Sequence, residues 1–126
     1  MSKRSKKTRD EHGKWELGGG GVKFGEEIES ALTREIYEEY STDVLEHEFL
    51  GYRNILRQHQ GKPTHWIALD FAVRVDLEKV KIGEPDMIDE LRWATFDTLP
   101  DDLHSQFPKF IELYRKRLEG SFLNKE

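Results

Sequence analysis

The chain has 126 residues and a mass of 14.9 kDa, which predicts one domain, residues 1–126, whose core needs no metal or disulfide support. It contains no cysteine, so disulfides, thiolate catalysis and Cys-ligated zinc are excluded, and a reducing, cytoplasmic location is expected. The net charge of -5 argues against strong nucleic-acid binding, and no apolar run is long enough to span a bilayer, so no membrane partner is expected.

Residues 1–14 form a polar segment at the start of the chain. Within it lies a cluster of cationic side chains, namely Lys3, Arg4, Lys6, Lys7 and Arg9. Such clusters usually belong to solvated chain ends, and attraction of phosphate groups is the alternative. The sequence favours the solvated end and leaves the alternative open.

Four consecutive glycines occupy residues 18–21. A dinucleotide-binding G-x-G-x-x-G pattern would need glycine where Lys23 or Phe24 stands, so that fingerprint is absent. A P-loop would need Lys followed by Ser or Thr where Glu26 and Glu27 stand, so a direct phosphate cradle is not expected. Taken alone, the run predicts a tight turn with positive φ.

A helix is predicted from about residue 26 to residue 40, ending before the Ser, Thr and Asp of residues 41–43. At about 100° per residue, Glu35 and Glu39 fall within its apolar stripe and Glu38 lies at the border. Carboxylates against apolar surface are costly unless they are neutralised. Arg34 can pair with one acid, most easily Glu38, but not with all three. A divalent cation with oxygen ligands is the simplest remedy, and Mg²⁺ keeps positions open for water and phosphates.

The glycine run and the acids together predict a chemistry. The acids would bind the metal, the metal would bind phosphates, and the glycine loop would supply backbone carbonyls and close approach. The predicted reaction is metal-assisted attack of water on a phosphoryl or pyrophosphoryl centre, with one acid as the base and the others as ligands.

The remainder of the chain predicts a β-hairpin, one further strand and a helix. Residues 47–58 and 64–75 flank a turn signal at residues 61–63, and the second segment alternates with period two. A further strand is expected from Leu91 to Phe96. Residues 107–118 form an amphipathic helix with an apolar face made of Phe107, Phe110, Ile111, Tyr114 and Leu118.

Residues 20–42 resemble the Nudix box, G-x5-E-x7-R-E-U-x-E-E-x-G-U, in which U is a bulky aliphatic residue. The resemblance rests on Gly20, Glu26 and the run from Arg34 to Glu39, all at the spacing of the box. The sequence departs at the end, where Ser41 and Thr42 replace the glycine and the aliphatic residue. It departs also in front, where three glycines replace the common Pro-Gly-Gly.

The resemblance implies an α/β class of fold, a Nudix-like α/β/α sandwich around a mixed β-sheet, and hydrolysis of nucleoside diphosphates linked to another moiety. It implies that the ligands of Mg²⁺, with Mn²⁺ as a second cation, are Glu35, Glu38, Glu39 and the carbonyl of Gly19. By the same resemblance Glu38 and Glu39 take part in catalysis, while Glu26 and Arg34 orient the acids.

Beyond the box the resemblance weakens and continues to about Pro100. Residues 84–100 resemble a family segment in which an acid precedes a strand tryptophan. Glu90, with Asp89 behind it, is the candidate there for completing the metal site or touching the base, and a solvated acidic loop is equally consistent. Trp66 is a candidate for stacking on a base, whereas Trp93 is expected in the core.

The front of the chain departs most from the family. Family members usually have one or two strands before the region of Trp15, where this chain has mostly polar residues. The fold is therefore expected to be N-terminally short and to lack a central strand. A fragment or alternative start, poor pairing of residues 1–12 at an edge, or a second protomer covering the sheet would each explain this. The last of these predicts a homodimer.

Two functional classes follow. A Mg²⁺-dependent hydrolase is favoured because the box keeps every acid that metal-assisted hydrolysis needs. The short front leaves little structure to hold a second large moiety, so the expected substrate is a (d)NTP, cleaved by a MutT-like enzyme to a (d)NMP and pyrophosphate. The alternatives are hydrolysis of ADP-ribose or a nucleotide sugar, and a Nudix-like nucleotide-binding or regulatory module without turnover.

Overall fold

A computed structural model describes residues 1–120 of the chain. Its elements in chain order are strand β1 (Ser2–Arg4), strand β2 (Trp15–Glu16), helix α1 (Ile28–Tyr40), strand β3 (Val44–His59), strand β4 (Lys62–Val75), a one-turn 3-10 helix (Leu77–Lys79), strand β5 (Ile88–Leu91) and helix α2 (Phe107–Glu119). The strands form two antiparallel sheets, one of three strands in the order β2-β1-β5 and one made of the β3-β4 hairpin.

Strand β1 lies in the middle of the three-stranded sheet, which corrects the expectation that a central strand is missing. Ser2 pairs with Glu16 on one side and with Leu91 on the other, and its side chain is buried. Sequence pattern did not predict this strand because its residues are polar, and backbone pairing on both sides holds it. The expectation of a homodimer rested on a sheet left open by a missing strand, and the presence of β1 removes that support. The homodimer therefore stays a prediction.

Helix α1 confirms the predicted helix and its buried acid. It begins at Ile28, about two residues later than predicted, and ends at Tyr40. Ser41 follows in the left-handed conformation (φ 56°), and its N–H donates to the carbonyl of Tyr37 at 2.8 Å. Glycine is the usual residue at such a helix end, so the serine accepts backbone strain that the glycine of the box would avoid. The helix keeps its length despite this departure.

The predicted hairpin is confirmed, with its turn shifted. Gln60 and Gly61 both have positive φ, 53° and 77°, as a two-residue type I′ turn requires. His59 and Lys62 therefore pair across the turn, and Lys62 and Pro63 begin β4 instead of forming the turn. Proline is tolerated there because it lies at the start of the strand.

Helix α2 packs against this hairpin and confirms the predicted amphipathic helix. Leu50 of β3 and Ala72 of β4 form a buried cluster with Phe110 and Tyr114 of the helix, and Leu118 packs beside them. Each α-helix has 13 residues, and within residues 1–120 neither is long and apolar enough to cross a membrane.

Strand β5 corrects the prediction of a strand from Leu91 to Phe96. It runs from Ile88 to Leu91, and its partner is β1. The position of β1 thus selects which residues of this segment become a strand. Trp93 follows the strand and is 69% exposed, so its expected place in the core is also wrong.

Candidate active site

Arg34, on helix α1, uses all five of its N–H donors to connect the segment before the helix with two acids of the helix. Its Nε and Nη2 donate to Glu26 at 2.8 and 2.9 Å, and Nη2 also donates to the carbonyl of Gly21 at 2.9 Å. Its Nη1 donates to Glu35 at 2.7 Å and to Glu38 at 3.2 Å. Hydrogen bonds from Arg34 lower the pKa of Glu26 to about 2. One guanidinium therefore holds two acids of the helix, where the sequence predicted only one.

Glu39 is the buried acid of the site. Its side chain accepts a hydrogen bond from the N–H of Gly19 at 3.2 Å, and the residue is only 8% exposed. Burial, together with the nearby carboxylates of Glu35, Glu84 and Glu16, raises the pKa of Glu39 to about 8 against the opposing effect of the hydrogen bond from Gly19. Within residues 1–120 no Lys, Arg or His forms an ion pair with Glu39.

Close approach to other side chains, and not positive φ, explains two of the four glycines, Gly18 and Gly20. None of residues 18–21 has positive φ, which corrects that expectation, and the left-handed glycine nearby is Gly25 (φ 80°). A Cβ at Gly18 would collide with the carboxylate of Glu39, and one at Gly20 would collide with the carboxylate of Glu35. The loop therefore lies directly against two acids of α1.

Glu84 joins this group from the segment before β5. It lines a cavity of about 230 Å³ together with Gly19, Glu39 and Glu16. Burial raises the pKa of Glu84, and the carboxylates of Glu35 and Glu38 raise it further. Sequence reasoning did not select Glu84, because any of the acids in residues 84–90 would look similar there. Gly83, which directly precedes it, was the one feature of the sequence that could have distinguished Glu84 from the other acids.

The acids selected in that segment lie elsewhere. Asp89 and Glu90 are both exposed on β5, and Glu90 lies 4.0 Å from Arg92. Neither lines the cavity that contains Glu39 and Glu84. A role for Asp89 and Glu90 at the metal or the base stays a prediction without support from this geometry.

A larger cleft of about 940 Å³ opens beside the acids. It lies between the glycine loop, α1 and β4, and Glu35 forms part of its wall. Trp66 and Trp93 both line it and are 60% and 69% exposed. Arg9 lines both cavities, and within residues 1–120 it forms no ion pair. The cleft thus combines the exposed faces of two tryptophans with the guanidinium group of Arg9, close to the carboxylates.

A second acidic cluster is an ion-pair network. The ligand atoms of Asp10, Glu11 and His104 lie close enough together to hold a metal ion. However, Arg57 pairs with Asp10 at 3.0 Å and with Glu11 at 2.7 Å, and Arg4 also pairs with Asp10. These guanidinium groups neutralise both acids, so the cluster ties the N-terminal loop to β3 and to the start of α2.

The donor set around α1 suits a hard divalent cation. All of its candidate ligand atoms are oxygens, from Glu35, Glu38, Glu39, Glu84 and the carbonyl of Gly19. The burial of Glu39 without a cationic partner is the observation that fits, because a bound cation would offset both its desolvation and its repulsion from the other acids.

Comparison with known proteins agrees with this arrangement. The NUDIX domain family matches residues 1–114, so the chain belongs to the Nudix family. An RNA pyrophosphohydrolase of Wolbachia pipientis subsp. Culex pipiens (strain wPip) is 27% identical over 126 residues, covering 90% of this chain and 76% of that protein. The crystal structure of a MutT NUDIX hydrolase from Burkholderia pseudomallei superposes with a TM-score of 0.77 at 30% identity, covering 90% of this chain and 84% of that one.

These similarities establish the class of protein and its general activity. The fold is the Nudix α/β/α sandwich that the sequence predicted. The protein is a Nudix pyrophosphohydrolase acting on a pyrophosphate-linked substrate, and its family generally uses divalent metal cations and small nucleotide substrates.

The glycine contacts predict a selective effect of alanine substitution. We expect Gly20→Ala to lower kcat/KM by about tenfold or more, because its methyl group would displace the flexible carboxylate of Glu35 while leaving the backbone in place. Gly21→Ala is the matched control, since nothing lies within 4 Å of its added Cβ. Steady-state hydrolysis and thermal melting of both variants check this. Equal losses of activity in Gly20→Ala and Gly21→Ala would contradict a specific effect of the contact between residue 20 and Glu35.

Proposed function

We propose that this enzyme hydrolyses a nucleoside triphosphate, (d)NTP, to (d)NMP and pyrophosphate with Mg²⁺, and that Mn²⁺ can replace it. The observation that carries the proposal is the buried Glu39, which lies with Glu35 against the glycine loop at one end of an open cleft. In this proposal the carboxylates at this end of the cleft hold the cation that binds the phosphates of a triphosphate. One aromatic surface of the cleft binds its base.

Each part of the site has a role in this reaction. A divalent cation, when bound, would neutralise the phosphates and lower the pKa of water. Arg34 holds Glu35 and Glu38 in place, and Glu26 fixes the guanidinium through two hydrogen bonds. The absence of side chains at residues 18–21 allows the phosphate chain to approach the acids closely. Water then attacks a phosphorus atom, the P–O bond of the anhydride breaks, and a carboxylate accepts the proton.

The cleft would hold the nucleoside. Trp66 and Trp93 offer exposed aromatic faces for a base, which supports the role predicted for Trp66 and adds Trp93. Arg9 at the rim is available for a phosphate that the cation does not reach. This favours phosphate attraction over a purely solvated end for that part of the basic cluster.

A second candidate is a larger substrate, the triphosphorylated 5′ end of an RNA. The cleft of about 940 Å³ lies at the upper end of the range of about 300–1,000 Å³ usual for ligand pockets, and its two exposed tryptophans could contact two bases. The similarity to an RNA pyrophosphohydrolase points the same way. Hydrolysis of ADP-ribose or a nucleotide sugar remains a third candidate. A binding module without turnover loses its main support, because the central strand is present.

A substrate panel tests the proposal. It contains the common and oxidised (d)NTPs, ADP-ribose, nucleotide sugars, dinucleoside polyphosphates and a short 5′-triphosphorylated RNA, each assayed with Mg²⁺, with Mn²⁺ and with EDTA. We expect the highest kcat/KM for a (d)NTP and no turnover in EDTA. A clearly higher kcat/KM for the RNA or for a sugar nucleotide would replace the (d)NTP proposal, and full activity in EDTA would refute the metal.

A further inference from the structure

Glu11 adopts a backbone conformation that residues with a side chain usually avoid. It lies in the loop of residues 5–14, which connects β1 with β2, and its φ of 48° places it in the left-handed region. This conformation is unfavourable for a residue with a Cβ, and it persists where the surrounding structure imposes it. Contacts of the Glu11 side chain with other parts of the chain therefore hold the loop in this shape.

The carboxylate of Glu11 accepts hydrogen bonds from four donors outside the loop. Its Oε1 accepts from the N–H of Ser105 at 2.7 Å, and its Oε2 accepts from the hydroxyl of Ser105 at 2.9 Å and from Nη2 of Arg57 at 2.7 Å. Nε2 of His104 lies 2.8 Å from the same Oε2. Because Nδ1 of His104 accepts from the N–H of Gln106, Nε2 carries a hydrogen and donates it to Glu11. Glu11 thus clamps the loop to β3 and to the segment before α2.

The clamp also fixes the chain next to Arg9. Nη2 of Arg57, which holds Glu11, donates to the carboxylate of Asp10 at 3.0 Å as well. The backbone carbonyl of Asp10 accepts from Nε of Arg4 at 2.9 Å. Arg9 directly precedes this held residue, and its exposed side chain lines both the cavity of Glu39 and the larger cleft. The position of its guanidinium relative to the acids of α1 therefore depends on the clamp.

Arg9 differs from the other cations around the two cavities. The arginines that line them are Arg4, Arg9, Arg53, Arg57 and Arg92. Four of these lie within 4.0 Å of a carboxylate, whereas Arg9 forms no ion pair within residues 1–120. A guanidinium group that no carboxylate occupies is suited to paired hydrogen bonds with a phosphate group. Arg9 is therefore the arginine of this site that is available to an anionic substrate.

We propose that Glu11 is a positioning residue, which holds the loop of residues 5–14 so that the guanidinium of Arg9 contacts a phosphate group of the substrate. The inference rests on the proposed function only in requiring a substrate with two linked phosphate groups, which every candidate substrate has. The left-handed conformation of Glu11 is then a local cost of keeping Arg9 at the site. Without the clamp, the loop relaxes and the guanidinium loses its place.

Binding of inorganic pyrophosphate in the presence of Mg²⁺, measured by titration calorimetry, tests the clamp separately from turnover. We expect Arg9→Gln to weaken binding by about tenfold or more, the loss typical of a hydrogen bond to a charged group. Glu11→Gly should weaken binding to a similar extent, although glycine relieves the unfavourable φ. In a protein that already carries Arg9→Gln, Glu11→Gly should change the affinity by less than about twofold, because both changes remove the same contact.

Steady-state kinetics with the best substrate of the panel give a second readout. Arg9→Gln and Glu11→Gly should raise KM by similar factors and leave kcat nearly unchanged, since a phosphate contact of this kind binds substrate and transition state alike. Lys7→Gln is the matched control, because it removes a positive charge from the same loop, and Lys7 is exposed and lines neither cavity. Its pyrophosphate affinity should stay within about twofold of that of the unmodified protein.

The inference is overturned if the unmodified protein does not bind pyrophosphate, if Arg9→Gln or Glu11→Gly leaves the affinity within about twofold, or if Lys7→Gln weakens it as much. It is also overturned if Glu11→Gly weakens binding equally with and without Arg9→Gln, because Glu11 would then act through the fold alone. If Glu11→Gly fails to fold, Glu11→Gln replaces it, since its amide brings a donor among donors. Coupled losses of pyrophosphate affinity in a protein that hydrolyses no (d)NTP would support the clamp and refute the proposed function.

Discussion

Replacing Glu39 with glutamine is expected to lower kcat by at least about 100-fold, the loss typical when one charge-stabilising group is removed from an active site. The substitution keeps the shape of the side chain and removes the charge that faces the N–H of Gly19. Pyrophosphate release in the presence of Mg²⁺ measures the loss, and circular dichroism should show an unchanged fold.

Glu29→Gln is the control for this experiment. Glu29 is exposed in the first turn of the same helix and contributes to neither cavity. Its activity should stay within about twofold of that of the unmodified enzyme, since surface substitutions away from a site usually change little. Equal losses for Glu29→Gln and Glu39→Gln would contradict the assignment of a functional face to α1.

Glu39 is also expected to lower the stability of the metal-free protein at alkaline pH. Because the pKa of Glu39 is raised to about 8 in the fold, the unfolded chain loses this proton at a lower pH than the folded chain does. The resulting destabilisation is absent below about pH 4, grows as the pH rises and is nearly complete just above pH 8. At pH 8 in EDTA, Glu39→Gln should therefore raise the free energy of unfolding by about 2–4 kcal/mol.

Urea denaturation at pH 4 and pH 8 measures this effect. At pH 4 the two proteins should have similar free energies of unfolding, and Glu29→Gln should match the unmodified protein at both pH values. Adding Mg²⁺ at pH 8 should stabilise the unmodified protein more than Glu39→Gln, because the cation binds the charged carboxylate of the folded state. A Glu39→Gln variant that is less stable than the unmodified protein at pH 8 would contradict the conclusion that the carboxylate of Glu39 is buried without a cationic partner.

The helix and its acids could be predicted because the information is local. Helical periodicity places Glu35 and Glu39 on the face that Ala31 buries, and the fixed spacing of the box places Arg34 and Glu26 beside them. The hairpin and α2 were predictable for the same reason, since alternation and amphipathic spacing are properties of continuous segments. Family membership followed from the same local spacing.

Contacts between distant segments were not predictable in this way. Strand β1 has no apolar pattern, and it exists because β2 and β5 supply hydrogen-bonding partners on both sides. The strand limits of β5, and hence the exposure of Trp93, follow from that pairing. Gly83 and Glu84 reach the acids only because α1 ends with unpaired carbonyls that the segment can satisfy.

The sequence by itself therefore determined the family and the helix that carries the box, and it predicted a bound cation, because each depends on residues a few positions apart. Only the tertiary structure decided which acid outside the helix joins the site, since Glu84, Asp89 and Glu90 are equivalent by charge and differ only in where the backbone places them. It also decided why Gly18 and Gly20 are glycines, because the carboxylates of Glu39 and Glu35 leave no room for a Cβ at these two positions.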